Sequence, residues 1–277
     1  MNELNSAASL SALLSAAARA THELVDQPPH LLLDPDARAL CATFSPSPLD
    51  YQLAQPQHPI LAGARVATVA RASFARAELE RSGLRQCVLL GAGLDSSISR
   101  GLDVSVWLVD RPDVLAWRAE LFADAGLADA GRPVPTDLAD DGLLPALAAA
   151  GVNLEEPVFV AALGLVMYLR EADLWSLLAR LAGLAPGSRL VFDSIVPAPL
   201  RDAAGRAYAE AIIASVGGGE PWNATPHPDE LADWLAGAGW RQARSTAEAD
   251  WVPEAFWAAN PQVGRTGLTR LVEAVRG

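Results

Sequence analysis

The feature that most constrains the fold is a short apolar segment that runs directly into a glycine turn. Residues 87–90 are all apolar, and Gly91, Ala92 and Gly93 follow at once. Because glycine has no Cβ, such a turn lets the backbone approach a ligand closely. In open α/β sheets, ligands bind beyond the carboxyl ends of strands, where the strand order reverses. The turn therefore predicts a ligand crevice at Gly91–Gly93, with a purely structural turn as the alternative.

From residue 86 onward, short apolar segments alternate with helical ones, which predicts a mostly parallel sheet covered by helices. We predict seven strands, at 87–90, 104–109, 133–135, 158–163, 189–195, 240–245 and 254–259, the last two as a closing hairpin. We predict helices at 8–26, 60–82, 112–125, 141–150 and 171–184, and another from Pro226 to Gly239. The proline-bearing stretch 43–59 is predicted to be rich in loops. Residues 1–60 are expected to form a helical cap on residues 61–277, the two making one structural unit.

Carboxylates follow two of the predicted strands. Asp110 ends the segment Val106-Trp-Leu-Val-Asp110, where an acid can accept hydrogen bonds from both ribose hydroxyls of a nucleoside. Asp137 and Leu138 follow the third strand and are placed to meet the edge and face of an adenine. Helix capping is the alternative role for either acid.

The charge of the chain limits its possible binding partners, and its cysteine content bears on metal binding and on the cellular compartment. The formal net charge is -12, from 33 acidic residues against 21 basic ones that are all arginine. Such a surface repels nucleic acid phosphates and anionic lipids, so a small-molecule partner is expected. Cys41 and Cys87 alone make no metal site and are expected to be reduced core residues, which favours the cytoplasm. No targeting signal or membrane-spanning run is recognised, and the oligomeric state is left open.

Six short segments, taken in chain order, together carry a family resemblance. They are Gly91-Ala-Gly-Leu-Asp-Ser96, Val109-Asp110, Pro112, Asp137-Leu138, Met167-Tyr-Leu169 and Gly187-Ser-Arg-Leu-Val-Phe-Asp193. The chain thereby resembles the leucine carboxyl methyltransferase-like family, including its bacterial polyketide O-methyltransferase branch. The resemblance implies a Rossmann-like class I methyltransferase fold, with S-adenosyl-L-methionine (SAM) as cofactor and S-adenosylhomocysteine (SAH) as product.

The resemblance also implies a set of cofactor-binding residues. They are Arg71, Gly91, Ala92, Gly93, Asp110, Asp137 and Leu138. The glycine turn would line the methionine moiety, Asp110 would bind the ribose, and Asp137 with Leu138 would bind the adenine. Arg71 would meet the cofactor carboxylate, with a solvated arginine as the alternative.

The chain departs from this family pattern at Leu163. The family usually has a glutamate at this position, at the end of the fourth strand and against the cofactor. Leucine cannot replace the attraction between a carboxylate and a cationic ligand. The departure keeps open a non-methylating member of the fold, such as a cyclase, an isomerase or a ligand-binding protein.

The implied activity is O-methylation of a small specialised metabolite, a polyketide-like carboxylate or phenol. A carboxylate is already ionised and needs little base catalysis. A phenol would need a base, for which the four histidines His22, His30, His58 and His227 are candidates, so no catalytic residue is assigned. The substrate pocket is expected between residues 8–60 and 196–226, with the Gly217–Gly219 run and Trp222. Methylation of another protein's C-terminus is a third possibility, for which the sequence shows no docking surface.

Overall fold

The computed structural model describes residues 7–215 and 222–277. Its strands are β1 Gln86–Leu90, β2 Ser105–Asp110, β3 Arg132–Pro135, β4 Phe159–Ala162, β5 Arg189–Ile195, β6 Trp240–Ala247 and β7 Thr269–Arg276. Its helices are α1 Ala7–Val25, α2 Pro35–Cys41, α3 Leu49–Ala54, α4 Pro59–Ser82, α5 Pro112–Asp124, α6 Leu143–Ala149, α7 Glu171–Leu181, α8 Ala203–Ser215, α9 Pro228–Gly237, α10 Glu248–Trp251 and α11 Glu254–Ala259.

The strands form one sheet in the order β3-β2-β1-β4-β5-β7-β6. The first five are parallel to their neighbours, and β7 runs antiparallel between β5 and β6. The chain builds outward from β1 to β3 and then returns to the other side of β1 with β4. The strand order therefore reverses between β1 and β4, which is where a ligand crevice is expected in such a sheet. The predicted seven-stranded, mostly parallel sheet is confirmed.

Helices cover both faces of the sheet because alternate residues of each strand point to opposite sides. Val88 and Leu90 pack on one face with α6, α7 and α9. Cys87 and Leu89 pack on the other face with α4 and α5. All five residues of β1 are buried, as the apolar sequence predicts for a central parallel strand.

The N-terminal helices lie over the carboxyl ends of the strands. Helix α1 packs on α2, α3 and α4, and its Leu13 and Ala17 share a core cluster with Leu94 in the turn after β1. The proline-bearing stretch predicted to be loop contains α3, which begins after Pro48 and ends before Pro56, so the prolines flank the helix. The division into a cap of residues 1–60 and a second part stays a prediction.

The predicted strand at 254–259 is wrong. These residues form α11, whose Phe256 and Trp257 are adjacent in sequence and both buried against α4. The segment has no β-branched residue, and Pro253 precedes it, which suits a helix start. The seventh strand is β7 instead, with Leu271, Val272 and Ala274 buried.

The cysteines behave as expected for core residues. Cys41 and Cys87 are buried and make no disulfide. Burial raises the pKa of the Cys41 thiol to about 12, so it stays protonated at neutral pH. No helix within 7–215 or 222–277 is long and apolar enough to cross a membrane.

Candidate functional site

A cavity of about 330 Å³ opens at the carboxyl ends of β1, β2, β3 and β4. We call it the cofactor-side cavity. All seven residues that the family resemblance implied lie on its wall. They come from α4, from the turn after β1 and from the ends of β2 and β3, so the fold gathers residues that are far apart in sequence. Whether they bind a cofactor stays a prediction.

The glycine turn after β1 has the backbone that only glycine adopts readily. Gly91 has φ 63° and Gly93 has φ 45°, both in the left-handed region. A Cβ at Gly91 would lie 3.1 Å from the Leu165 side chain, and one at Gly93 would lie 3.2 Å from Ala12 Cβ. Both neighbours line the same cavity. A side chain at either glycine would press on a residue of the cavity wall, so glycine keeps this part of the cavity open.

Asp110 is held in place by the backbone around it. Its Oδ2 accepts a hydrogen bond from Gly93 N at 2.9 Å, and its Oδ1 accepts one from Arg111 N at 2.8 Å. Burial raises the pKa of Asp110, and these two N–H groups partly offset that effect. A carboxylate has about four lone-pair sites, so both oxygens can still accept hydrogen bonds from a ligand.

Asp137 and Leu138 lie at the open edge of the same cavity. Asp137 is exposed, and its Oδ1 accepts from Ala139 N at 2.9 Å, which fixes the loop after β3. Leu138 is half-buried and packs against the core on the α6 face. The carboxylate of Asp137 suits the polar edge of a heterocycle, and the side chain of Leu138 suits its flat apolar face.

Arg71 reaches the site from α4 and pairs with a carboxylate on β5. Its Nη1 lies 3.4 Å from Asp193 Oδ2, and only 19% of the arginine side chain is exposed. Asp193 Oδ1 also accepts from Gly164 N at 2.6 Å. A Cβ at Gly164 would lie 2.7 Å from Arg71 Nη2, so the guanidinium lies directly against this glycine. The alternative of a solvated arginine does not fit this geometry.

A second cavity, of about 600 Å³, adjoins the first. We call it the acceptor-side cavity. Its wall is formed by α1, α3, α4, α8, the segment after β4, the ends of β5 and β7, and Trp222, and it is mostly apolar. Six residues line both cavities, namely Ser11, Ser15, Thr68, Arg71, Gly164 and Tyr168. These six define a shared border where groups bound on the two sides would meet.

Part of the predicted substrate region lies on the acceptor-side cavity. Trp222 lines the acceptor-side cavity, while the Gly217–Gly219 run lies outside the described residues. His58 is on the exposed rim of that cavity. His22 is buried elsewhere, where its Nδ1 lies 2.8 Å from Asp26 Oδ2 and its Nε2 accepts from Leu31 N. His30 and His227 are not among the described residues that line either cavity.

Two polar residues of the site were not predicted from the sequence. Arg19, buried on α1, lines the cofactor-side cavity and donates to Leu94 O and to Asp34 Oδ2, both at 2.7 Å. Asp193 lines the acceptor-side cavity at the end region of β5. The rule that singled out Asp110, a carboxylate near the carboxyl end of a parallel strand, applies equally to Asp193. No local pattern marks Arg19, whose role depends on how α1 packs.

Comparison with solved structures defines the class of fold. A candidate methyltransferase from Thermobifida fusca aligns over 96% of this chain and 94% of its own, with 20% identity and a TM-score of 0.60. Human N-acetylserotonin methyltransferase, solved in complex with SAM, aligns over 97% of this chain and 67% of its own, with 11% identity and a TM-score of 0.52. At these identities the likeness concerns the fold alone, which is that of the class I SAM-dependent methyltransferases.

Sequence comparison then gives the family. The model of the leucine carboxyl methyltransferase family matches residues 12–182, and the chain belongs to that family. A relative from Rhodococcus jostii (strain RHA1), named as a candidate SAM-dependent methyltransferase, is 37% identical over 180 residues, 60% of this chain and 59% of the relative. A relative of the same description from Mycobacteroides abscessus is 32% identical over 171 residues, 57% of this chain and 55% of the relative. The chain thus aligns with less than two thirds of the length of these relatives.

Proposed function

We propose that this protein is a SAM-dependent O-methyltransferase of the cytoplasm. Its acceptor would be a small specialised metabolite, a polyketide-like carboxylate or phenol, and not a nucleic acid or a membrane lipid. The observation that carries the proposal is the pair of adjoining cavities with one shared border. One cavity has the glycine turn and Asp110, the other is larger and mostly apolar, and Arg71 and Gly164 lie between them.

The cofactor-side residues fit SAM in charge and shape. Asp110 has acceptor capacity for two ribose hydroxyls, and the turn at Gly91 presents backbone without a side chain. Arg71 supplies a cation for the cofactor carboxylate at the border, and Leu138 supplies an apolar face for the adenine. When bound, SAM supplies an electrophilic methyl group on a sulfonium ion.

The protein's own contribution would be orientation and exclusion of water. Helix α1 covers the border with Ser11 and Ser15, while Thr68 and Tyr168 close it from α4 and from the segment after β4. Holding a nucleophile and a methyl donor in line converts a bimolecular reaction into an effectively unimolecular one, which can supply most of the rate enhancement.

Isothermal titration with SAM and with SAH tests the proposal. We expect micromolar binding of both, weakened about a hundredfold or more in Asp110→Ala, because two charge-assisted hydrogen bonds are lost. Asp124→Ala, an exposed acid at the end of α5, is the matched control and should bind like the wild type. Absence of binding by the wild type would contradict the proposal.

A second candidate function rests on Leu163. This residue lines the cofactor-side cavity where the family usually has a carboxylate. A non-methylating member would retain the fold and use the acceptor-side cavity for a cyclisation, an isomerisation or ligand binding. An Asp110→Ala variant that keeps full activity on the natural substrate would support this candidate.

A further inference from the structure

One carboxylate, that of Asp193, lines the acceptor-side cavity. It is the only acid among the described residues that line this cavity, and its side chain is 1% exposed. Gly164 N donates to its Oδ1 at 2.6 Å, and Arg71 Nη1 lies 3.4 Å from its Oδ2. Both partners belong to the shared border. Asp193 is therefore fixed one contact away from the place where donor and acceptor would meet.

The charges around Asp193 make this end of the cavity unfavourable for another anion. Glu248 is buried and interacts electrostatically with Asp193, and burial together with the charge of Asp193 raises the pKa of Glu248 to about 7. Arg71 is the one arginine among the described lining residues, and it is already paired with Asp193. An acceptor carboxylate at the border would bring an anion beside one or two acids that share a single guanidinium.

The other polar groups near Asp193 are poorer bases. Burial raises the pKa of the Tyr208 phenol, so it remains protonated and can only donate or accept a neutral hydrogen bond. His58 lies on the exposed rim of the cavity. Thr269, beside Glu248, has no acid–base function at neutral pH.

We infer that the acceptor is a neutral hydroxyl compound of aromatic, phenol type, and that Asp193 accepts the hydrogen bond of its hydroxyl group and then the proton. The inference rests on the proposed methyltransferase function and chooses between the two acceptor classes that it leaves open. It makes Asp193 a catalytic residue, because its carboxylate touches the reacting hydroxyl.

The step balances with the groups already named. The acceptor oxygen forms a bond to the methyl carbon, the bond from that carbon to sulfur breaks, and the electron pair stays on sulfur as the sulfonium becomes a neutral thioether. The hydroxyl proton moves to the Asp193 carboxylate and passes to water after the product leaves. A base positioned in this way contributes about 10²- to 10⁴-fold to such a rate.

Binding of two matched probes to the SAH-loaded protein tests the inference without knowledge of the natural substrate. The probes are 2-naphthol, neutral at pH 7, and 2-naphthoate, which has the same ring but is anionic. We expect the wild type to bind 2-naphthol at least tenfold more tightly than 2-naphthoate. In Asp193→Asn, which removes the charge but keeps the shape, we expect this preference to shrink at least fivefold. Glu210→Gln, an exposed acid on α8 near the same cavity, should leave the preference unchanged.

Each other outcome overturns the inference. Tighter or equal binding of 2-naphthoate by the wild type would point to a carboxylate acceptor, and this comparison needs no variant to fold. Failure of both probes to bind at 1 mM would exclude a flat aromatic ligand, and an unchanged preference in Asp193→Asn would exclude Asp193. A loss of SAH affinity in Asp193→Asn with probe binding intact would assign the residue to the cofactor. Failure of the proposed function itself would be distinguished by absence of SAH binding in the wild type.

Discussion

The two cavities are built by different means. The cofactor-side cavity is shaped mainly by backbone and short loops at strand ends, where Gly91, Gly93 and Asp110 hold one another in place. The acceptor-side cavity is shaped mainly by side chains from the helices α1, α3, α4 and α8, and the ends of β5 and β7 and the segment after β4 complete its wall. Hydrogen-bonded backbone allows little variation, whereas helical side chains can be exchanged without changing the fold. We therefore expect the cofactor-side cavity to vary less among related proteins than the acceptor-side cavity.

The largest effect is expected from Gly91→Val, which alters the glycine turn of the cofactor-side cavity. A β-branched residue at φ 63° is strained, and its Cβ would also press on Leu165. We expect SAH affinity to fall at least a hundredfold. Gly101→Val is the matched control, because Gly101 has φ 73° with no atom within 4 Å of a Cβ and so carries the strain alone. Equal loss of affinity in both variants would mean that the cavity does not depend on this close approach.

The next largest effect concerns Glu248 and the free energy of unfolding. Glu248 Oε2 is buried without a hydrogen-bond partner in the described structure, and burial raises the pKa of Glu248 in the folded protein from its ordinary 4.5 to about 7. The folded state therefore holds a proton that the unfolded state releases, so this residue's contribution to stability is lost as pH rises from about 4.5 to 7. Glu248→Gln removes this dependence. Relative to the wild type, we expect the variant to gain about 2 kcal/mol of unfolding free energy between pH 5 and pH 8.

Urea unfolding at the two pH values measures this difference, with Glu210→Gln as the exposed control. A difference between wild type and Glu248→Gln that does not change with pH would show that Glu248 titrates normally.

A smaller effect is expected from Gly63→Ala, which alters the wall of the acceptor-side cavity. Gly63 lies in α4, and a Cβ there would come within 2.6 Å of the Tyr208 ring. Tyr208 must turn, and because its side chain lines the acceptor-side cavity we expect the ring to move into that space. We expect 2-naphthol affinity to fall about tenfold while SAH affinity stays within twofold, since the cofactor side does not involve Tyr208.

The double variant Gly63→Ala with Tyr208→Ala separates steric displacement from damage to the helix. Removal of the ring should abolish the conflict and restore part of the probe affinity. If Gly63→Ala weakens SAH and 2-naphthol equally, the two cavities are not independent.

The same contrast explains what the sequence could predict. The apolar strands, the glycine turn and the acids after β2 and β3 are local patterns with fixed geometric consequences, so six of the seven strands and six of the seven cofactor-side residues could be located from the sequence. Arg71 was implied only by the family resemblance, and the binding role of all seven residues stays a prediction. Asp193 follows the same pattern, but its partners Arg71 and Gly164 are distant in sequence and give no local signal. Arg19 and the wall formed by α3 and α8 depend entirely on helix packing.

The misassigned closing strand has a similar cause. The segment 254–259 is short and contains two aromatic residues. Aromatic side chains occur in strands and in buried helices alike, so the sequence does not distinguish the two. The helix is favoured because it buries Phe256 and Trp257 against α4, and such tertiary contacts leave no signal in the local sequence. Strand β7, in which Leu271 and Val272 are buried, has no hairpin signal in the sequence. The helices α10 and α11 separate it from β6, so no short turn joins the two strands.

The most direct test of the two-cavity account is a crystal structure of the protein with SAH and 2-naphthol. We expect the ribose hydroxyls on Asp110, the adenine near Leu138, the sulfur at the border of Arg71 and Gly164, and the naphthol oxygen within hydrogen-bond distance of Asp193. SAH bound anywhere other than beside the Gly91 turn, or naphthol lying away from this border, would contradict it.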